Sequence, residues 1–145
     1  MRASPDGAAV WFDPVGLWVE PGTRLRFVLE AGVHTTTAYH PDNGRPLRLP
    51  RGAAPWDSGY LVEPGAEFSV LLSVEGVYDY FCRPHELAGM AGRILVAARG
   101  AAGELVASLG ADPYPESTPA LPEPVRRSLP PPAGILEAGT LRRHG

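Results

Sequence analysis

Apolar and polar residues alternate with a period of two through most of the first hundred positions. The pattern is clearest over Thr23 to Glu30, where Leu25, Phe27 and Leu29 point one way and Arg24, Arg26 and Val28 the other. Such a segment reads as a half-buried antiparallel strand, and Pro21-Gly22 before it and Ala31-Gly32 after it are turn signals. Upstream, Trp11 to Glu20 sets Val15, Leu17 and Val19 on one parity and Trp18 on the other, a first strand. Downstream, His34-Thr-Thr-Thr-Ala-Tyr-His40 is rich in β-branched residues that favour extended backbone. Tyr60 to Glu63 forms a short strand ended by Pro64-Gly65, and Phe68, Val70 and Leu72 then alternate with Glu67, Ser69 and Leu71. From Gly76 onward Tyr78, Tyr80 and Cys82 share one face, with Asp79 and Phe81 opposite, and Ile94 to Val96 resume as another strand after a loop broken by Pro84, Gly89 and Gly92.

Pro41 to Gly59 interrupts this series with Pro41, Pro46, Pro50 and Pro55, leaving room for one helical turn around residues 53–57. Its Arg45, Arg48 and Arg51 read as charges of a solvated loop. No helix-period segment occurs before residue 100. About seven short strands with turn signals at intervals of roughly 8–12 residues predict an all-β sandwich. After Val96 the character changes. Ala101 to Leu109 predicts two helical turns, and from Asp112 the chain carries Pro113, Pro115, Pro119, Pro122, Pro124 and Pro130 to Pro132. That density reads as a linker or a tail draped over the domain. Ile135, Leu136 and Leu141 are its apolar docking points, and Arg142-Arg143-His144 is solvated. The expected division is residues 1–100 as one domain and 101–145 as a short helix or turn followed by the tail, whose removal leaves any site in the domain intact.

Composition narrows the function. A net charge of −3 and a pI near 5.8 argue against nucleic acid or an anionic membrane surface as partner. All 13 cationic side chains are arginine, a bias from which no function follows. No apolar run approaches the roughly 18 residues of a membrane helix, and Met1 to Val10 lacks the apolar segment of a secretory signal. The single cysteine, Cys82, excludes an intrachain disulfide. His85 follows it by three positions and Met90 by eight. Singly, each has an ordinary explanation: a small buried thiol, a turn histidine, a core methionine. Together, a thiolate, an imidazole and a thioether in one loop suit a soft first-row metal, and one Cys with a weak Met contact fits an electron-transfer copper site. A further histidine must come from elsewhere, and His34 and His40 are available. Six residues apart on an extended stretch, they are separated by about 20 Å and cannot both reach one ion.

Cys82-x-x-His85-x-x-x-x-Met90, preceded by the aromatic strand Tyr78-Asp-Tyr-Phe81, followed by Gly92 and an apolar strand, and completed by a histidine some fifty residues upstream, resembles the cupredoxins, in their plastocyanin-like branch. The resemblance covers roughly residues 11–98. It implies a Greek-key β-sandwich of about seven to eight strands and one type 1 copper ion held by His34, Cys82, His85 and axial Met90. It places the upstream ligand at the start of its strand, favouring His34 and leaving His40 as a capping or surface residue. It implies single-electron shuttling between redox proteins that dock transiently near His85, by a monomer that is not an enzyme. The residue after the upstream ligand is Thr35, whose hydroxyl would tie the two ligand loops together. Phe81, in the outward position before the cysteine, stands where plastocyanins often have tyrosine. Members are usually exported, so the expected location is periplasmic or otherwise extracytoplasmic with a leader absent from this chain, and cytoplasmic if Met1 is the native start. The competing readings are a copper carrier or storage protein, a copper enzyme with a second centre, and a structural sandwich without redox function.

Overall fold

The computed structural model describes residues 1–114 and 119–143. Among these residues nine strands occur: β1 (Arg2–Ala3), β2 (Val10–Trp11), β3 (Gly16–Val19), β4 (Thr23–Val28), β5 (Thr37–Ala38), β6 (Glu67–Leu72), β7 (Gly76–Phe81), β8 (Ala91–Val96) and β9 (Thr140–Leu141). Short 3₁₀ segments occupy Pro41–Asn43 and Arg83–Ala88, and three helices follow: α1 (Ala102–Ser108), α2 (Glu123–Ser128) and α3 (Pro132–Ala138). The larger sheet has the order β5-β7-β8-β3-β9, with β3 parallel to β8 and the other pairs antiparallel. β4 pairs with β6 in the smaller sheet, Phe27 opposite Phe68 and Leu25 opposite Val70.

The expected β-sandwich is present. Its core lies between the sheets: Phe27, Leu29, Val70 and Leu72 on one side meet Tyr78, Tyr80, Cys82, Ile94 and Val96 on the other. Phe12 and Phe27 both set edges against Tyr80, at centroid distances of 4.7 and 5.2 Å. These aromatic pairs add to the burial itself. Among the described residues no helix is long and apolar enough to cross a membrane.

The region after Val96 differs from an extended tail. Val77 and Leu95, on the outer face of the larger sheet, pack against Val106 and Ile135, while Tyr39, Phe81 and Ala91 pack against Leu121 and Val125. β9 adds an edge strand beside β3. Phe81, read as outward-pointing, is therefore fully buried. The prolines are compatible with helix because they sit at its starts: Pro122 and Pro131 are N-caps, and Pro124 and Pro132 lie in the first turn, where no backbone donor is lost. Pro115 and His144 lie outside the described residues.

The crossing segment also departs from expectation. Residues 53–57 form no helical turn, with Asp57 bridged to Thr37, and the strand expected over Tyr60 to Glu63 is a single bridge between Leu61 and His34. Asn43 holds the segment in place by donating to the carbonyls of Ala38 and Trp56. Arg48 is buried and not solvated. Its guanidinium meets Asp79 at 2.7 Å, and Arg93, across the β7–β8 pair, holds the same carboxylate through two contacts of 2.7 and 3.0 Å. Arg48 also reaches Asp112 at 2.8 Å and lies over the Tyr114 ring. A buried carboxylate between two guanidiniums is tolerated because its charge is fully paired.

Candidate metal centre

The site forms where β7 ends. Cys82 continues the inward face of β7 beyond Phe81, and the 3₁₀ turn that follows swings His85 back toward it, closed by the His85 N–H donating to the Cys82 carbonyl at 3.1 Å. Gly89 ends the turn at φ +81°, a left-handed position, and the chain re-enters β8. His34 arrives from the far side, where its backbone pairs with Leu61. His34 and Cys82 are fully buried and His85 is half-buried.

Three donor atoms converge. His34 Nδ1 and His85 Nδ1 are 3.2 Å apart, Cys82 Sγ is 3.4 Å from His85 Nδ1, and it is 3.7 Å from His34 Nδ1. In a triangle with those sides, the point equidistant from all three corners lies about 2.0 Å from each, close to ordinary metal–imidazole lengths of about 2.0–2.1 Å. Two imidazoles and one thiol in this near-trigonal arrangement are the donor set of a blue-copper centre, so the residues present fit copper. Among the described residues this is the one cluster of three or more His, Cys, Asp or Glu side chains placed to hold a metal ion.

Burial and mutual proximity set the protonation. Burial first, then the neighbouring His85, lowers the His34 pKa to about 4. Burial likewise lowers His85 and raises the Cys82 thiol, the latter against hydrogen bonds from Thr35 and His85. Without metal the cluster is thus neutral near pH 7, and metal binding must expel the thiol proton. His34 Nε2 is buried without a hydrogen-bond partner and faces Gly32, where a Cβ would stand only 2.8 Å from it. The ring is held by fit, with Nδ1 left to the cluster.

Surrounding groups lock the two ligand segments together. The Thr35 N–H donates to Cys82 Sγ at 3.4 Å, and the Thr35 hydroxyl accepts from the Arg83 N–H at 2.9 Å, joining the segment of His34 to the loop of His85. Thr35 and Thr37 hydroxyls share a contact at 2.8 Å, and Thr37 continues to Asp57 at 3.0 Å. Arg83 forks onto the same Asp57 through contacts of 3.1 and 3.0 Å. Glu86 accepts from the Tyr39 hydroxyl at 2.8 Å and from Arg45 at 3.2 Å. Sequence reasoning singled out Thr35, whereas Asp57, Arg83 and Glu86 carry no spacing signal of their own. Met90 is fully buried in the apolar cluster that contains Cys82, its N–H donating to His85 O and its carbonyl accepting from the Cys82 N–H. His40 lies apart from the cluster and caps the 3₁₀ turn at Pro41, its Nδ1 accepting from the Asp42 N–H at 3.0 Å.

Comparison with known proteins gives a consistent picture. The family model described as copper binding proteins, plastocyanin/azurin family, matches residues 1–97. A chloroplastic plastocyanin of Chlamydomonas reinhardtii is 34% identical over 96 residues, which span 66% of this chain and 65% of that protein. A plastocyanin of Scenedesmus fuscus is 31% identical over 99 residues, 66% of this chain and 96% of that one. Among solved structures, pseudoazurin from Methylobacterium extorquens AM1 superposes with a TM-score of 0.59 at 18% identity, covering 95% of this chain and 93% of its own. That likeness is one of fold, and it takes in most of the region after residue 97.

Proposed function

The chain belongs to the plastocyanin/azurin family of copper-binding proteins, and from that membership we propose that it is a blue-copper electron carrier. One type 1 copper ion would be held by Nδ1 of His34, Sγ of Cys82 and Nδ1 of His85, with the Met90 thioether as weak axial donor. When bound, copper supplies one-electron chemistry, alternating between Cu(I) and Cu(II). The observation that carries the reading is the convergence of three donor atoms on a point about 2.0 Å from each. Ligands already at that spacing need not move to accept either oxidation state, and a small reorganisation is what a fast electron carrier requires.

The chain's own residues divide the remaining work. Thr35, through its amide and hydroxyl, holds Cys82 and the His85 loop in one frame. Of the two histidines His85 alone has access to solvent, so it is the proposed entry point for the electron. Leu87 beside it is 77% exposed and Val33 beside His34 is 45% exposed. Tyr60 and Val62 are exposed on either side of Leu61, the bridge partner of His34. This apolar rim suits a short-lived encounter with a protein partner, which needs little buried area. A monomeric, extracytoplasmic protein, periplasmic in a bacterium, is part of the same reading. Full burial of Cys82 disfavours a copper-delivering carrier, whose thiols must be reachable by a recipient. The proposed role is that of a carrier and not an enzyme.

Adding Cu(II) to the metal-free protein tests this. The expected result is one equivalent of an intensely coloured species with a thiolate-to-copper band and a reversible one-electron wave. Cys82→Ser should remain folded without the band, and Met90→Leu should keep the colour and raise the reduction potential. A weakly coloured adduct, or a strong band retained in Cys82→Ser, would contradict the assignment.

A further inference from the structure

The C-terminal region is seated on the loop that carries the proposed ligands. α2 packs against Arg83–Ala88 and the start of β8. A Cβ on Gly89 would stand 2.9 Å from the Pro124 carbonyl oxygen and 2.9 Å from Ser128 Oγ, so the helix backbone lies directly on the apex of the loop. Ser128 Oγ is 2.7 Å from the Gly89 carbonyl and 2.9 Å from that of Pro124. Its single proton is shared between them, with the shorter contact to Gly89. The Gly89 carbonyl accepts a second bond from the Ala91 N–H at 3.0 Å, which fixes the peptide joining Gly89 to Met90. Beneath it, Leu121, Val125 and Leu129 pack on Tyr39, Phe81 and Ala91. Phe81 immediately precedes Cys82, and Ala91 immediately follows Met90.

We propose that α2 braces the axial side of the metal site, with Ser128 as a positioning residue that fixes the Gly89–Met90 peptide and hence how closely the Met90 thioether approaches the metal. The family model matches residues 1–97, so α2 lies outside the segment that the model describes. Its effect on the metal rests on the electron-carrier reading, whereas its effect on the loop does not.

Ser128→Ala, Ser128→Thr and, as a control, Arg127→Ala on the exposed face of α2 separate the two. Metal-free full-length protein is read by amide exchange, and copper-loaded protein by reduction potential and by the electron paramagnetic resonance spectrum. Ser128→Ala should fold normally yet exchange the Met90 and Ala91 amides about two- to tenfold faster, the loss of one hydrogen bond. It should also shift the potential and the spectrum, with Ser128→Thr restoring both and Arg127→Ala silent. Unchanged exchange at Met90 and Ala91, or exchange raised equally throughout the protein, would overturn the brace. Faster loop exchange with an unmoved potential and spectrum would overturn its role at the axial donor. If wild-type protein forms no coloured copper site, the electron-carrier reading fails, while exchange in the metal-free protein still decides whether Ser128 holds the loop.

Discussion

His34 is a fully buried imidazole whose Nδ1 faces another histidine and a thiol, and this makes it a sensor of folding as well as a proposed ligand. Its pKa of about 4 lies below the value of about 6.5 for an exposed histidine. The unfolded chain therefore takes up a proton below about pH 6.5 that the folded one refuses until about pH 4. Stability of the metal-free protein should be fully present above pH 6.5 and fall through that window by on the order of 2–3 kcal/mol, since each tenfold difference in proton affinity between the two states is worth about 1.4 kcal/mol. Denaturant midpoints of metal-free protein at pH 7 and pH 4.5 measure it, and His34→Gly should lose much of the slope; an unchanged slope would contradict the cause given. The same variant should lose the copper band and regain part of it with added imidazole, while His40→Ala stays coloured. The reverse pattern would move the site to the other end of the strand. At this scale the loop from Cys82 to Met90 was legible because its chemistry is contiguous in sequence. Asp57, Arg83 and Glu86 were not, because ion pairs formed across crossing loops leave no periodic trace.

Among the elements, β4 and β6 follow their alternation because one face meets the core and the other meets water. β7 and β8 do not behave so simply: both faces are buried, and Asp79 and Arg93 pair on the outer face under the C-terminal region. Arg48, assigned from its neighbours in sequence to a solvated loop, joins them there. Removing the shared carboxylate by Asp79→Ala leaves two buried guanidiniums without it and should cost about 3–5 kcal/mol, read as a lowered denaturant midpoint. A loss below about 1 kcal/mol would mean that the two arginines find other partners or water. The short strand expected over Tyr60 to Glu63 contracts to one bridge, in which Leu61 and His34 exchange both backbone hydrogen bonds, while the Glu63 carbonyl turns to the Ala66 N–H. Local alternation could not report that the neighbouring backbone offers one register position and no more.

For the molecule as a whole, the fold class was legible and the packing of its last third was not. Proline density reads as a linker or a draped tail with Ile135 among its docking points, yet prolines at helix starts allow α2 and α3 to form, and Leu121 and Val125 join Ile135 as core once the sheet presents an apolar outer face. Each such side chain contributes roughly 1.5–3 kcal/mol on burial, against a total stability of about 5–15 kcal/mol for a typical domain. Deleting residues 112–145 should therefore abolish or sharply lower cooperative unfolding, and a truncated protein with the full-length midpoint would make residues 1–111 an independent domain. Whether the chain carries electrons through copper turns on its three donor atoms. X-ray absorption at the copper edge of the loaded full-length protein, oxidised and then reduced, examines them most directly. Two nitrogen neighbours near the 2.0 Å set by the donor triangle and one short sulfur are expected, with little change between the two states. Absence of a short sulfur neighbour, or a change of ligand number on reduction, would contradict that expectation.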